Sequence, residues 1–292
     1  MNGILNIFKP KGMSSFDVVR VVKKVAKTGK VGHTGTLDPE ATGVLPVCIG
    51  RATKIIDYIM DSEKVYEVTF KLGIRTTTYD LEGEILEERD PSNLKNEDIL
   101  EVVKGFIGEY YQVPPMYSAL KQNGVRLYEL ARKGIEVERE GRLIKIYNIE
   151  DIKINNPYVS MKVTCSKGTY IRSLCYDIGE KLEVFATMTD LNRAKTSVFS
   201  QENSISINDL TEENIENYIV TMEEALSKYE AITVHGKYVR LLVNGVRVAD
   251  NRFTKDDIIN NTLYRVYDED SNFIGLGKRN NAGFKIEKLL IT

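Results

Sequence analysis

The chain is poor in the residues that build metal centres and redox pairs: its 292 residues include three cysteines and two histidines. Cys48, Cys165 and Cys175 are odd in number and form no Cys-x-x-Cys pair. That argues against a disulfide framework and a zinc finger, and for thiols packed as small apolar groups in a reducing, cytoplasmic setting. His33 and His235 lie far apart, so a His/Cys metal site is not expected. No glycine-rich nucleotide fingerprint is present either, and neither a metal nor a cofactor is expected. No run approaches the roughly 18 apolar residues of a membrane helix. Met1-Asn2-Gly3-Ile4-Leu5-Asn6 lacks the basic flank and apolar core of a secretion signal. The net charge of −2 withholds the simplest signature of a nucleic-acid binder. Internal repeats and low-complexity runs are absent.

What is present is an ordinary globular composition, 42% apolar and 28% charged, over a length that suits two domains or one large domain with an appendage. The charge is unevenly placed. Lys9, Lys11, Arg20, Lys23, Lys24, Lys27 and Lys30 face only Asp17 in the first thirty residues. Residues 201–230 carry Glu202, Asp209, Glu212, Glu213, Glu216, Glu223, Glu224 and Glu230 against Lys228. A basic front and an acidic back suit a protein that binds a polyanion on one side.

The most informative stretch is Val31-Gly32-His33-Thr34-Gly35-Thr36-Leu37-Asp38-Pro39, continuing to Leu45-Pro46. Glycines permit unusual torsions, and Pro39 pushes Asp38 out of the helical region. A carboxylate held in this way serves as a nucleophile or a general base. On local chemistry alone, an Asp-Pro turn in which Asp38 bonds nearby amides explains the same residues.

Along the chain, Ile4–Phe8 reads as a strand and Lys9-Pro10-Lys11-Gly12 as a turn. A helix follows, capped by Ser14 with Asp17 three residues on, and Val18, Val21, Val22 and Val25 form its buried face. Arg20, Lys23, Lys24 and Lys27 repeat that spacing on the opposite face, where they either meet phosphates or simply face solvent. Residues 64–73 alternate as a strand with Tyr66, Val68, Phe70 and Leu72 on one side. Thr76–Glu88 reads as a loop and second strand, and Asn96–Phe106 as a helix. Tyr110-Tyr111-Gln112-Val113-Pro114-Pro115-Met116-Tyr117-Ser118-Ala119 suits an ordered surface segment with stacking surfaces. Residues 121–145 suit a mobile, basic, helix-containing insertion. Val159, Met161, Val163 and Cys165 mark another strand that runs into Ser166–Arg172, where a helix begins. The helix dipole disfavours Arg172 in the first turn, so an anionic partner is expected beside it. From about residue 231 the texture changes. Tyr238–Val243, Tyr264–Tyr267, Phe273–Leu276 and Phe284–Ile291 read as short strands, with Asn244-Gly245 and Asp270-Ser271-Asn272 as hairpin signals.

Taken together, Asn6–Ser15, Gly32–Pro46, Lys64-Val65-Tyr66, Pro114–Lys121 and Ser166–Arg172 resemble, in this order and over nearly the whole chain, the TruB family of tRNA pseudouridine-55 synthases. The resemblance implies an α+β pseudouridine-synthase fold: a mixed, mainly antiparallel central sheet with flanking helices and a catalytic cleft. It places a catalytic domain at 1–230, with a basic RNA-binding insertion near 121–145, and a small, mostly β, PUA-like RNA-binding domain at 231–292. Asp38 becomes the catalytic nucleophile, Arg172 its ion-pair partner and Tyr66 the aromatic that stacks on the extruded base. His33, Tyr170, Leu191 and Lys9 fall on the substrate-binding side. Family members often carry paired arginines after the pocket leucine. Here Leu191 is followed by Asn192-Arg193, which leaves Arg193 to supply the phosphate contact.

The implied reaction turns uridine 55 of the tRNA T loop into pseudouridine by base flipping, without metal or cofactor. tRNA is then the partner, with no membrane and no obligate protein partner, and a cytoplasmic monomer is expected. Two other readings are an enzyme working inside a guide-RNA complex and an RNA-binding protein that assists tRNA folding; the second is compatible with catalysis.

Overall fold

The structure, a computed structural model, describes residues 1–291. From the N-terminus its elements are β1 (Gly3–Lys9), α1 (Ser15–Val25), β2 (Val31–His33), β3 (Thr42–Ile49) and α2 (Ile56–Met60). Next come β4 (Lys64–Leu72), β5 (Ile74–Thr76), β6 (Ile85–Glu88), α3 (Asn96–Lys104) and β7 (Gly108–Gln112). They are followed by β8 (Lys121–Gln122), β9 (Val125–Arg126), α4 (Leu127–Ala131), β10 (Arg142–Asn155), β11 (Tyr158–Cys165), α5 (Ile171–Lys181) and β12 (Ala186–Thr196). The remainder holds β13 (Phe199–Ser200), β14 (Ile205–Ser206), β15 (Ile219–Val220), α6 (Met222–Ala225), β16 (Ala231–Thr233) and α7 (Gly236–Val243). Strands β17 (Leu263–Tyr267), β18 (Phe273–Asn280) and β19 (Gly283–Leu289) close the chain. Two compact units form: one from Met1–Asp38, Val44–Asp61 and Ser197 onward, the other from Pro39–Gly43 and Ser62–Thr196.

The second unit is built on an antiparallel sheet in the order β12-β4-β11-β10-β7. The alternation predicted for residues 64–73 is observed: Tyr66, Val68, Phe70 and Leu72 are all buried. Their register partners on β11, Val163, Met161 and Val159, are equally apolar, so one face of the sheet is a continuous dry layer. Helix α5 contributes Ile171, Leu174, Cys175 and Ile178 to the core and packs against β12. Gly179 permits that approach, because a Cβ there would stand 2.1 Å from the Ala186 nitrogen. Helix α3 lies on β10 and buries Ile99 and Val103. The aromatic segment expected to be irregular from Tyr110 onward begins as strand: Tyr110, Tyr111 and Gln112 pair with Ile144, Leu143 and Arg142 of β10. The 121–145 insertion holds a short hairpin whose turn, Asn123-Gly124, has φ of 51° and 84°, the two positive values of a type I′ turn. Helix α4 follows it.

In the first unit, β1 lies between β3 and β14, parallel to β14, with β15 antiparallel along its start. Helix α1 begins with the expected capping box: Asp17 N–H bonds the Ser14 hydroxyl, and the Asp17 carboxylate accepts from Ser14 N–H. Its buried face comprises Ser15, Val18, Val19 and Val22, whereas the predicted Val21 and Val25 are only half-buried. The face is rotated toward Ser15 because that hydroxyl has internal partners.

Residues 231–291 form a four-stranded sheet, β16-β17-β18-β19, around their own cluster of Ile232, Val234, Phe253, Tyr264, Val266 and Phe284. One prediction fails here. Tyr238–Val243 is not a strand but part of α7, and Asn244-Gly245 is not a hairpin but the helix end. Tyr238 and Leu242, four residues apart, are the buried pair, and Asn244 N–H returns to Arg240 and Leu242 carbonyls. Gly245 takes φ of 82° just beyond the cap, where glycine is favoured. The second hairpin signal holds: Asp268 accepts from Asp270 and Asn272 N–H, closing the turn between β17 and β18. Leu276 and Leu290 also join a core with Ile4, Val44, Cys48 and Phe199, so this module shares a hydrophobic layer with the N-terminal strands.

Candidate functional site

Asp38 is the last residue of its segment in the first unit and is half-buried. The loop leading to it is anchored at both ends. Strand β2 pairs with β3, Val31 opposite Ile49 and His33 opposite Val47, and Thr34 N–H donates to the Pro46 carbonyl at 3.0 Å. His33 Nδ1 accepts from Gly35 N–H at 3.2 Å, and Gly35 has φ of 124°, a conformation that excludes most side chains. Nearer to Asp38 the restraint is a side chain that sequence reasoning missed. The buried Ser15 hydroxyl accepts from Leu37 N–H at 2.8 Å and donates to the Leu37 carbonyl at 3.0 Å. Both backbone groups of the residue before Asp38 are therefore fixed to the first turn of α1. The only sequence signal was a second serine beside the cap.

Lys9 is fully buried, and its ammonium donates to the carbonyls of Pro10 and Met13 at 2.9 and 2.7 Å. In this position it ties the turn that precedes α1. The basic stripe of α1 is only partly open. Arg20 pairs with Asp17 and lies 5.4 Å from the Phe16 ring centroid, while Lys27 pairs with Glu212 at 2.5 Å. The basic front and the acidic 201–230 stretch thus meet at this pair instead of lying on opposite sides.

In the second unit, Tyr66 sits on β4 opposite Val163 on one side and Arg193 on the other, and the residue is 7% exposed. Leu191 faces Val68, the next inward residue, which places Leu191 on the same face as Tyr66. Arg193 is 1% exposed. A guanidinium at that depth is part of the core, which corrects the expectation that it supplies a surface phosphate contact. Asn192, at the position of the missing arginine, spends its amide on Glu67 at 2.8 Å and accepts from the Thr42 hydroxyl at 3.2 Å.

Arg172 occupies the first turn of α5 as predicted and is 6% exposed. Within this unit its anionic partner is Asp80, at 3.3 Å; its Nη1 also donates to the Thr78 carbonyl and its Nη2 to the Tyr117 carbonyl. Asp80 is itself buried and accepts from Glu82 N–H and the Thr78 hydroxyl. Burying an arginine at a helix N-terminus is unfavourable on both desolvation and dipole grounds, and this carboxylate offsets both. The sequence places Asp80 after three threonines, with nothing to distinguish it from an ordinary turn residue. Tyr170 is the residue before α5, and its backbone is bonded to Gln112. Among the described residues, no group of three or more His, Cys, Asp and Glu is arranged to hold a metal ion.

Comparison with known proteins places these residues in context. The model of the TruB family pseudouridylate synthase N-terminal domain matches residues 23–171, and that of the tRNA pseudouridylate synthase B C-terminal domain matches residues 172–229. The chain belongs to the TruB family. Asp38 and Tyr66 thus lie within the first match, and Arg172 and Leu191 within the second. A relative from Clostridium perfringens (strain SM101 / Type A), named tRNA pseudouridine synthase B, is 62% identical over 292 residues, covering 100% of this chain and 99% of its own. A relative of the same name from Clostridium tetani is 58% identical, with 100% of both chains covered. Among solved structures, one of an H/ACA RNP bound to a substrate RNA containing 2′-deoxyuridine aligns with a TM-score of 0.75 at 26% identity, over 99% of this chain and 85% of that one. A Cbf5-Nop10-Gar1 complex gives a TM-score of 0.76 at 28% identity, over 98% and 84%. This TruB-family chain therefore has the pseudouridine-synthase fold, an α+β architecture with a small C-terminal β domain.

Proposed function

We propose that this chain isomerises uridine 55 in the T loop of tRNA to pseudouridine. The observation that carries the reading is the end-to-end match, at 62% identity, to a protein named tRNA pseudouridine synthase B. In the reaction, the bond between the ribose and the uracil nitrogen breaks, the base turns, and a carbon–carbon bond forms at the same sugar carbon; the proton on that ring carbon is lost and the freed nitrogen gains one, so product and substrate are isomers. The base never leaves, so the residues must hold and aim it.

In this proposal Asp38 is the nucleophile, Arg172 its ion-pair partner and Tyr66 the stacking platform. An arginine beside a carboxylate favours its charged form and fixes its direction. A flipped nucleotide loses a few kcal/mol of stacking, and an aromatic platform restores about 1–3 kcal/mol. Support for Tyr66 in that role is its rigid seat between two antiparallel strands. Tyr170 and Leu191 line the base pocket, and His33 contacts the nucleotide. Lys9 supports the RNA-facing turn from beneath instead of touching substrate, which agrees with its buried ammonium. Residues 1–230 form the catalytic domain and 231–292 a PUA-like RNA-binding domain, with the 121–145 insertion gripping RNA by shape and phosphate. The protein works as a cytoplasmic monomer on tRNA alone. No helix among the described residues is long and apolar enough to cross a membrane.

The test is to incubate purified protein with an unmodified tRNA transcript and map the pseudouridine formed. A single product at position 55 on bare tRNA is expected; dependence on a guide RNA would overturn the reading. Asp38→Asn is expected to abolish turnover while tRNA binding survives.

A further inference from the structure

One buried polar side chain in the second unit touches the entrance of α5 from a strand that no catalytic role singles out. Gln112 ends β7 and is 2% exposed. Its Oε1 accepts from Tyr170 N–H at 2.8 Å, and its Nε2 donates to the Tyr170 carbonyl at 3.1 Å and to the Tyr110 hydroxyl at 2.9 Å. A planar amide, carrying donor and acceptor together, thus pairs with both backbone groups of one residue as a neighbouring strand would. The opposite amide orientation would set NH2 against N–H, so the arrangement is fixed by its partners.

The residue so held is the one where α5 starts. Tyr170 has extended torsions (φ −98°, ψ 112°) and no side-chain cap of its own. Arg172 lies two residues further on. The segment following Gln112 meets the same helical turn twice more: the Ser173 hydroxyl donates to the Val113 carbonyl at 3.0 Å, and Arg172 Nη2 to the Tyr117 carbonyl at 2.8 Å. Among these, the Gln112 contacts alone act on the backbone of Tyr170, two residues before Arg172.

We propose that Gln112 is a positioning residue for the isomerisation: its amide sets the angle at which the chain enters α5, and so aims Tyr170 and Arg172. The inference rests on the functional reading above for what those two side chains do. It assigns no contact with RNA to Gln112, so tRNA affinity is expected to survive its loss.

Gln112→Met fills the same volume without donor or acceptor. With the full chain and a tRNA transcript, kcat is expected to fall about tenfold or more while KM stays within about threefold, the signature of misaimed reacting groups with binding retained. The Tyr170 amide is expected to exchange its hydrogen faster. Tyr110→Phe, which keeps both bonds to Tyr170 and removes the third, is expected to hold kcat within about twofold. The proposal is overturned by a Gln112→Met enzyme with wild-type kcat, or by a Tyr110→Phe enzyme that loses as much. Should Gln112→Met fail to fold, Gln112→Glu, which keeps the acceptor and drops the donor, is read by the same measures. Should wild-type protein leave tRNA unmodified, the functional reading falls by itself. Unchanged protection of the Tyr170 amide in the variant would then still overturn the clamp.

Discussion

The loop around Asp38 and the seat of Arg172 hold their functional groups by different means. Before Asp38, the restraints act on the backbone: Gly35 at positive φ with its N–H on the His33 ring, Pro39 behind the carboxylate, Thr34 N–H on Pro46, and the Ser15 hydroxyl on Leu37. Arg172 is held by a carboxylate and carbonyls from two remote segments, Thr78 with Asp80 and Tyr117. A loop of the first kind keeps its shape when one bond is lost and lets the carboxylate shift slightly. A buried charge of the second kind is costly when a carboxylate that compensates it is removed. The two regions should therefore fail differently, one in rate and the other in rate and stability together.

The largest effect is expected at Asp80. Asp80→Ala removes the carboxylate that the second unit itself supplies to the buried Arg172 guanidinium, and removing one member of a buried pair typically costs about 3–5 kcal/mol. Denaturant unfolding should show that loss, with turnover falling in parallel. Wild-type stability in this variant would mean that the Arg172 seat is no more demanding than the loop, and the contrast between the regions would disappear.

This contrast also decides what the sequence could reveal. The part of the Asp38 loop that was legible is the part whose restraints lie within a few residues: Gly35 and Pro39 announce themselves by type. The β4 strand and Tyr66 were legible through period-two alternation. Asp80, Gln112 and Ser15 were not, because each acts across a fold-level juxtaposition and carries no local signature. Arg193 misled for the same reason, since an arginine reads as exposed until its register opposite Tyr66 is known. The α7 error has a different origin. Tyr238–Val243 offers β-branched and aromatic residues that suit a strand, and tertiary burial of the i, i+4 pair outweighed that propensity.

A second-unit effect of intermediate size should appear with pH. Burial pushes the Asp177 carboxyl up to about 7, with the Tyr110 hydroxyl working against that shift and Glu180 adding to it. Its folded value exceeds the unfolded value near 3.9. The folded chain therefore keeps a proton that the unfolded chain releases, and stability falls as pH rises from about 4 to 7. Asp177→Asn is expected to match wild type below pH 4 and to melt at a higher temperature near pH 8. Parallel melting curves across that range would show that Asp177 is hydrated, and that this part of the second unit is less dry than its packing implies.

The smallest stability change is expected at Ser15, where the loop mode of restraint is most exposed to test. Ser15→Ala removes two hydrogen bonds to Leu37 but leaves the β2–β3 pairing, Gly35 and Pro39 in place. Net loss should be about 1–2 kcal/mol, the usual scale for neutral hydrogen bonds. Asp38 follows directly on the freed residue, so kcat is expected to fall about tenfold, a small misplacement of a reacting group being costly. The ratio of the two losses separates the mechanisms. At Ser15 rate should suffer with little unfolding, whereas at Asp80 both should suffer. A Ser15→Ala enzyme with normal kcat would show that glycine and proline alone fix Asp38, making the first region even more local than its hydrogen bonds suggest.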